Sequence, residues 1–122
     1  MAKQIMIIDD SASLRQLVHI TLRSAGYEVL EAADGIEAIA KLAGKKVHLV
    51  ICDVNMPNMD GIGFLNEVKH SAQLRFTPII MLTTESDEAH KRAAQEAGAR
   101  AWMVKPFQPA QLLSAVAKLC LP

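Results

Sequence analysis

The chain has 122 residues, of which 51% are hydrophobic, so we expect one globular domain spanning residues 1–122 rather than a disordered segment. Its 13 basic and 13 acidic side chains give a formal net charge of zero, which provides no electrostatic reason to expect nucleic acid or a membrane as a partner. The chain contains no apolar run near the roughly 18 residues of a membrane span and no secretory signal pattern, so we expect a cytoplasmic protein, and its balanced charge and single domain favour a monomer.

Short apolar runs alternate with helical patterns along the chain. The first helical pattern begins with a capping-box pair, Ser13 and Gln16, and ends near Gly26. The second runs over residues 34–43, and the third contains the apolar residues Phe64, Leu65 and Val68. The fourth runs from about residue 86 to residue 98, and the fifth opens with a proline at residue 109. The predicted strands lie at residues 5–8, 29–33, 47–52, 78–82 and 101–104.

This alternation predicts an α/β fold in which a strand–helix unit occurs five times. Strands that are apolar throughout are typical of a parallel sheet covered by helices on both faces. A doubly wound sheet of this size commonly has the flavodoxin-like strand order 2-1-3-4-5. We therefore predict a single-domain, flavodoxin-like (βα)5 fold with that order.

Polar side chains stand at the carboxyl ends of four of the predicted strands. In open α/β sheets, ligands bind outside these ends, so residues that follow neighbouring strands converge on one cleft. Taken one at a time, an Asp in such a position is more often a turn or capping residue than a functional one. The pattern across four strands favours a shared site made of Asp9 and Asp10, Asp53 and Asn55, Thr83 and Thr84, and Lys105.

The chemistry of these residues suggests which ligand the cleft would bind. Three neighbouring carboxylates repel one another unless a proton or a cation relieves the repulsion. Mg²⁺ prefers oxygen ligands and keeps positions for water and phosphate oxygens, whereas the chain has no His/Cys cluster that would favour zinc. Lys105 adds a positive charge and Thr83 a hydroxyl donor. The set fits a metal and a phosphoryl group, with one carboxylate able to act as a nucleophile.

Four motifs resemble the receiver domain of two-component response regulators over essentially the whole chain: IMIIDDS, LVICDVNMPNMDG, IIMLTT and VKPF. The resemblance implies that Asp53 accepts a phosphoryl group from a histidine kinase. It also implies that Asp10, Asp53 and the backbone carbonyl of Asn55 bind Mg²⁺, or Mn²⁺ in its place, with Asp9 helping through water. Thr83 and Lys105 would contact the phosphoryl oxygens. The peptide bond that follows Lys105 is usually cis in this family.

The resemblance further implies a switch. Phosphorylation would move Thr83 and let an aromatic side chain turn inward. That side chain is Trp102 here, and many relatives carry Tyr or Phe at the same position. Asn55 and Glu85 would tune the lifetime of the phosphoryl group by orienting or blocking an attacking water. The chain would be a signalling module that catalyses its own phosphorylation and dephosphorylation, not an enzyme with a separate substrate. Its output face would include Lys91, Arg92, Gln95, Trp102 and Lys118.

Two signalling roles remain open at the level of sequence. The chain resembles the CheY-like chemotaxis branch, which implies a CheA-like histidine kinase as donor, the flagellar motor switch as output partner and a phosphatase as a further partner. No output domain follows the last predicted helix, so we expect a module that acts by binding. The alternative is a phosphorelay shuttle or phosphate sink that passes the group to a histidine phosphotransfer domain. A phosphatase of the haloacid-dehalogenase type is disfavoured, because Asn55 stands where that chemistry needs an acid.

Overall fold

A computed structural model describes residues 2–56, 58–84 and 88–120. Strands and helices alternate along these residues, as the sequence pattern predicts. The elements are β1 (Gln4–Ile8), α1 (Ala12–Ser24), β2 (Glu28–Ala32), α2 (Gly35–Leu42), β3 (Leu49–Asp53), α3 (Gly61–Lys69), β4 (Ile79–Thr84), α4 (Glu88–Glu96), β5 (Ala101–Lys105) and α5 (Pro109–Leu119).

The five strands form one parallel sheet with the order β2-β1-β3-β4-β5, which confirms the predicted flavodoxin-like fold. β1 pairs with β2 on one side and with β3 on the other, so the chain reverses its direction of winding at β1. A crevice opens at such a reversal, outside the carboxyl ends of the strands. The register places Asp53 opposite Leu82 and Thr84 opposite Lys105, so β4 and β5 end level and β4 extends two residues beyond the end of β3.

The core has two parts, one on each face of the sheet. Ile5 and Ile7 of β1 belong to the part covered by α1 and α5, whereas Met6 and Ile8 belong to the part covered by α2, α3 and α4. All four are completely buried, as expected for a central parallel strand with helices on both sides. This packing holds the strands rigidly and leaves their carboxyl ends free to carry a site.

The start of α1 differs from the prediction. Its N-cap is Ser11, whose hydroxyl accepts a hydrogen bond from the Leu14 backbone N–H at 3.3 Å, so the predicted capping pair of Ser13 and Gln16 is wrong. The helix begins directly after the acidic pair because Ser11 already satisfies a free donor of the first turn. Gly26 follows the end of the helix with a positive φ of 95°, which suits glycine.

The remaining helix ends agree better with the sequence. Asp34 caps α2 by accepting a hydrogen bond from the Glu37 N–H at 2.8 Å. α4 starts at Glu88 in the described part of the chain, and the predicted start near residue 86 lies outside it. None of the helices in the described ranges is long and apolar enough to cross a membrane.

Candidate functional site

Three strand ends bring two carboxylates and an ammonium group into contact. Asp9 directly follows β1, Asp53 ends β3 and Lys105 ends β5. The Lys105 Nζ atom lies 2.8 Å from Asp9 Oδ2 and 3.2 Å from Asp53 Oδ2. Asp9 is completely buried and Asp53 nearly so, whereas Asp10 is exposed at the mouth of the site. One carboxylate oxygen from each of the three acids lies within 4.8 Å of the other two.

The charges at this site are unbalanced. Burial raises the pKa of Asp53, and the charge of Asp9 raises it further, although Lys105 acts in the opposite direction. Burial works against the charged form of Lys105, but its hydrogen bond to Asp9 and the charges of both carboxylates leave its pKa raised. Lys105 is therefore positively charged at neutral pH, and it offsets only one of three carboxylates. This excess of negative charge and the all-oxygen ligands fit a hard divalent cation such as Mg²⁺.

Asp9 is fixed from several directions. Its N–H donates to the Ala32 carbonyl at 3.1 Å, and its Oδ1 atom accepts from the Ser11 N–H at 2.9 Å. Its carbonyl oxygen accepts from Arg15 Nη1 at 2.6 Å. The short contacts hold the backbone on both sides of the Asp9 side chain, so the carboxylate has little freedom to turn away from the cleft.

Arg15 is itself held by a chain of polar groups. Its Nε atom lies 3.2 Å from Glu31 Oε1, and the other carboxylate oxygen of Glu31 lies 2.7 Å from His19 Nδ1. Neither Arg15 nor Glu31 was predicted from the sequence, since they belong to different elements and neither forms a local motif. The only available signal was that Arg15 lies in the first turns of the helix that begins after Asp9 and Asp10.

The loop after Asp53 is attached to α2. The Asn55 N–H donates to Asp53 Oδ1 at 3.3 Å. Further along, Asn58 has a φ of 66° and its side-chain amide donates to Asp34 Oδ2 at 2.8 Å. The hydrogen bond from the Glu37 N–H lowers the pKa of Asp34, and the bond from Asn58 lowers it further. Asp34 therefore stays ionised and joins the loop to the start of α2.

Gly61 lies against the end of β3. A Cβ atom at Gly61 would be 2.5 Å from the carbonyl oxygen of Asp53 and 2.9 Å from the Cα atom of Val54. Both are backbone atoms that the sheet and the loop hold in place. The close approach explains why a residue without a side chain starts α3 beside the carboxylate of the site.

The predicted switch residues lie on two paired strands. Thr83, which is 2% exposed, pairs with Val104, and Trp102 pairs with Met81. Trp102 is partly buried, and the Lys91 Nζ atom lies 4.5 Å from the centre of its ring. Of the other predicted output residues, Arg92, Gln95 and Lys118 are exposed.

Two further sequence expectations concern neighbouring residues. The peptide bond between Lys105 and Pro106 is cis, as the resemblance predicted. Glu85 and the side chain of Thr84 lie outside the part of the chain that the structure describes.

A comparison with known protein families identifies the family of this chain. The family model described as the response regulator receiver domain matches residues 5–117. The chain belongs to the response regulator receiver domain family. Its fold and its cluster of acidic strand ends are therefore those of a domain from two-component signalling, as the four motifs predicted.

Relatives of this receiver domain have more than one role. Chemotaxis protein CheY1 of Helicobacter pylori is 40% identical over 108 residues, covering 87% of each chain. The probable transcriptional regulator ycf27 of Cyanophora paradoxa is 38% identical over 117 residues, covering 96% of this chain and 48% of that protein. The chain thus spans about half the length of the first curated relatives that it matches.

Solved structures show the same fold. Chemotaxis response regulator CheY4 of Vibrio cholerae has 44% identity and a TM-score of 0.92, with 98% of this chain and 99% of that one covered. The receiver domain of sensor histidine kinase PA1611 from Pseudomonas aeruginosa has 26% identity and a TM-score of 0.90, with 98% of each chain covered. The latter structure has a magnesium ion coordinated in its active-site cleft.

Proposed function

We propose that this receiver domain is activated by phosphorylation of Asp53. The observation that carries the proposal is the contact of one ammonium group with two buried carboxylates, beside a third that is exposed. A purely structural ion pair would need one carboxylate, whereas three create a negative site that must be neutralised. Asp53 is 5% exposed and lies at the end of a rigid strand, so its carboxylate is aimed into the cleft.

The reaction would be a transfer between a phosphohistidine and a carboxylate. The phosphohistidine of the kinase reacts with its other ring nitrogen protonated: a carboxylate oxygen of Asp53 attacks phosphorus, and the bond from phosphorus to nitrogen breaks with its electron pair remaining on that nitrogen, so the histidine leaves as neutral imidazole. The product is an acyl phosphate, which water later hydrolyses to the carboxylate and inorganic phosphate. Lys105, freed from part of its contact with Asp53, would pair with a phosphoryl oxygen. Thr83 would donate its hydroxyl hydrogen to another.

Mg²⁺ would be held by Asp10, Asp53 and the carbonyl of Asn55, with Asp9 assisting through water and Mn²⁺ able to take its place. When bound, the metal would supply positive charge to the phosphoryl oxygens during transfer. The protein's own residues do the positioning. Asp9 holds Lys105 at 2.8 Å and so keeps its ammonium group beside the nucleophile. Asn55 and Glu85 would orient or block the water that ends the signal.

The phosphoryl group would switch a surface and not a separate substrate, so we do not propose an enzyme in the ordinary sense. It adds about 1.5 to 2 negative charges and three acceptor oxygens next to Thr83. Movement of Thr83 would alter the packing of Trp102 on the neighbouring strand and bias two states of the face made by α4, β5 and α5. Lys91, Arg92, Gln95 and Lys118 would contact the partner there.

We propose chemotaxis as the pathway, with a CheA-like histidine kinase as donor, the flagellar motor switch as output partner and a phosphatase as a further partner. Similarity to the chemotaxis proteins CheY1 and CheY4, over at least 87% of both chains in each pair, supports this proposal. The alternative is a phosphorelay shuttle or phosphate sink. This alternative is supported by the structural similarity to a receiver domain that belongs to a sensor histidine kinase.

The test is phosphorylation by a small phosphodonor, read by intact mass. We expect the mass of one phosphoryl group to be gained with Mg²⁺, and no gain without Mg²⁺ or in Asp53→Asn. A gain that persists in Asp53→Asn would overturn the proposed acceptor. Binding of the phosphorylated protein to a motor-switch peptide would then support chemotaxis, whereas rapid transfer to a histidine phosphotransfer domain without such binding would support the relay.

A further inference from the structure

A second concave surface lies at the opposite end of the sheet from Asp53. It is a groove of about 540 Å³ between the segment that leads into β3, residues 46–48, and the segment that leads into β4, residues 72–78. His48 precedes β3 and Asp53 ends it, so five residue steps of about 3.3 Å put roughly 16 Å between the groove and the acidic site. A ligand in the groove would not touch the acidic site. We call this surface the amino-edge groove.

The walls of the amino-edge groove are fixed by hydrogen bonds. The side-chain amide of Gln73 donates to the carbonyl of Lys45 and so joins the two segments. The Val50 N–H donates to the Pro78 carbonyl at 3.1 Å. The backbone N–H of Gln4 donates to His48 Nδ1 at 3.0 Å, so the neutral ring carries its proton on Nε2. His48 therefore offers a donor, and not an acceptor, to anything that approaches its other nitrogen.

The charge around this groove has one sign. Residues 45–48 and 69–78 contain four basic side chains and no acidic one, although the whole chain is neutral. None of the four forms an ion pair with a carboxylate of the described ranges. The segments that form the groove are thus locally basic on a balanced protein: Lys46 lines the groove, and Lys45, Lys69 and Arg75 are its neighbours in the sequence.

An exposed aromatic ring forms one wall. Phe76 is 75% exposed, the largest value among the exposed large apolar side chains of the described residues. The Arg75 guanidinium carbon lies 4.8 Å from the centre of its ring, which orders both side chains at the rim. The wall thus offers an exposed apolar surface to a ligand.

We propose that the amino-edge groove binds an acidic peptide segment of a partner protein, with a carboxylate next to an apolar residue. The apolar residue would cover Phe76, and the carboxylate would pair with Lys46 and accept a hydrogen bond from His48 Nε2. Charge complementarity and a concave, apolar-walled shape favour a peptide over a membrane surface, which would need several apolar side chains on a convex face. This binding is independent of the phosphorylation proposed above.

Selection from a random 12-residue peptide library displayed on phage would test the proposal, with the protein immobilised through its amino terminus. A library depleted first on the double variant Lys46→Glu and Phe76→Ser would retain peptides specific for the groove. We expect the selected peptides to contain Asp or Glu beside an apolar residue. Neutral or basic peptides, or no enrichment over the depleted library, would overturn the proposal.

One selected peptide would then be synthesised and titrated against four single variants. We expect Lys46→Glu and Phe76→Ser each to weaken its binding about tenfold, as loss of a central contact does. Arg23→Glu and Ile36→Ser are matched controls, because they change an exposed charge and an exposed apolar side chain elsewhere, and should leave the affinity within about twofold.

Two further measurements place the bound peptide. Amide chemical shifts should change at residues 46–48 and 72–77, and Asp53→Asn should bind the peptide as the unsubstituted protein does. Shift changes confined to α4, β5 and α5, or equal binding by all variants, would overturn the proposal. The protein could also bind phosphatidylserine vesicles or duplex DNA more strongly than the peptide, with that binding lost in Lys46→Glu. This result would overturn the peptide as the ligand of the groove.

Discussion

The ammonium group of Lys105 lies 2.8 Å from a carboxylate oxygen of Asp9, although 96 residues separate the two in the sequence. It also lies 3.2 Å from a carboxylate oxygen of Asp53, so one positive charge serves two nearly buried negative charges. Each carboxylate therefore shares its positive partner with the other, although a buried charge is costly unless it is fully paired. The stability of the protein should therefore respond to any change in this balance, whether by substitution, by pH or by a cation.

Lys105→Met should lower the free energy of unfolding in buffer without Mg²⁺ by about 2 kcal/mol, because two buried carboxylates lose their counter-charge. Added Mg²⁺ should then raise the melting temperature of the variant more than that of the unsubstituted protein. Lys41→Met is the matched control, since Lys41 pairs with Glu37, donates to the Glu31 carbonyl and contacts none of the carboxylates of the acidic site. Equal responses of all three proteins to Mg²⁺ would contradict this account.

Asp53→Asn should have the opposite effect. Burial raises the pKa of Asp53 above its ordinary value of 3.8, so the folded state binds the proton more tightly than the unfolded state. The stability from this group is present in full below the ordinary value and is lost as the pH rises through the raised one. We expect the neutral variant to be more stable than the parent at neutral pH without Mg²⁺, with the difference shrinking in acid.

Urea denaturation across an acid-to-neutral pH series would measure this difference. Saturating Mg²⁺ should also reduce this difference in stability, because the cation stabilises the protein that has the Asp53 carboxylate more than the variant that lacks it. A variant less stable than its parent at neutral pH in metal-free buffer would show that Lys105 outweighs burial and the charge of Asp9.

Gly61→Ala should destabilise the protein by about 2 kcal/mol, within the usual range for overpacking against rigid atoms. The new methyl group would meet the Asp53 carbonyl oxygen and the Met81 Cε atom, each at 2.5 Å. Gly63→Ala, two residues along the same helix, would bring its methyl to 3.2 Å from the flexible side chain of Met59. Alanine favours the helix there, so that variant should be neutral or slightly stabilised.

Chemical denaturation of the two glycine variants would test this contrast directly. The Gly61 variant should also be phosphorylated more slowly, because relief of the clash must move the backbone that carries Asp53. Similar stabilities for the two variants would show that the backbone at the end of β3 shifts more easily than close packing should allow.

Arg15→Met should weaken Mg²⁺ binding about tenfold, the size of effect that residues supporting metal ligands commonly have. The cause would be the loss of the 2.6 Å hydrogen bond to the Asp9 carbonyl, which fixes the backbone at the acidic pair. Arg15→Lys should recover part of the affinity, because a lysine keeps the charge but not the second contact to Glu31.

Calorimetric titration with Mg²⁺ would compare these variants, with Arg23→Met as the control from the end of the same helix. Phosphorylation rates at saturating Mg²⁺ should differ less than the affinities do. If Arg15→Met binds Mg²⁺ like the control, the contact with Asp9 serves only the fold.

The sequence predicted the fold because its strands are apolar throughout and end in polar residues. The largest differences in the sheet are at β3, predicted over residues 47–52 and observed as Leu49–Asp53, and at β4, predicted over residues 78–82 and observed as Ile79–Thr84. His48 pairs with Gln4 before the ladder starts, and Asp53 itself pairs with Leu82, so the carboxylate belongs to the strand and not to the loop.

What the sequence did not predict are polar contacts between distant elements. Arg15 meets Glu31 across 16 residues, and Asn58 meets Asp34 across 24. Neither pair has a spacing that a helix or a strand imposes, so no periodicity reveals it. The cap of α1 was missed for a local reason, because Ser11 and Ser13 are both plausible N-caps and only the position of the preceding strand decides between them.

The last strand of the sheet alternates between the two halves of the core. Trp102 packs with the residues under α2, α3 and α4, whereas its neighbour Met103 packs with those under α1 and α5. Successive side chains of a strand point to opposite faces of the sheet, so these two neighbours lie in separate parts of the core although both belong to the edge strand β5. A displacement that starts at Lys105 should therefore affect both parts of the core. Trp102 and Met103, although consecutive, can report that displacement independently, one from each part.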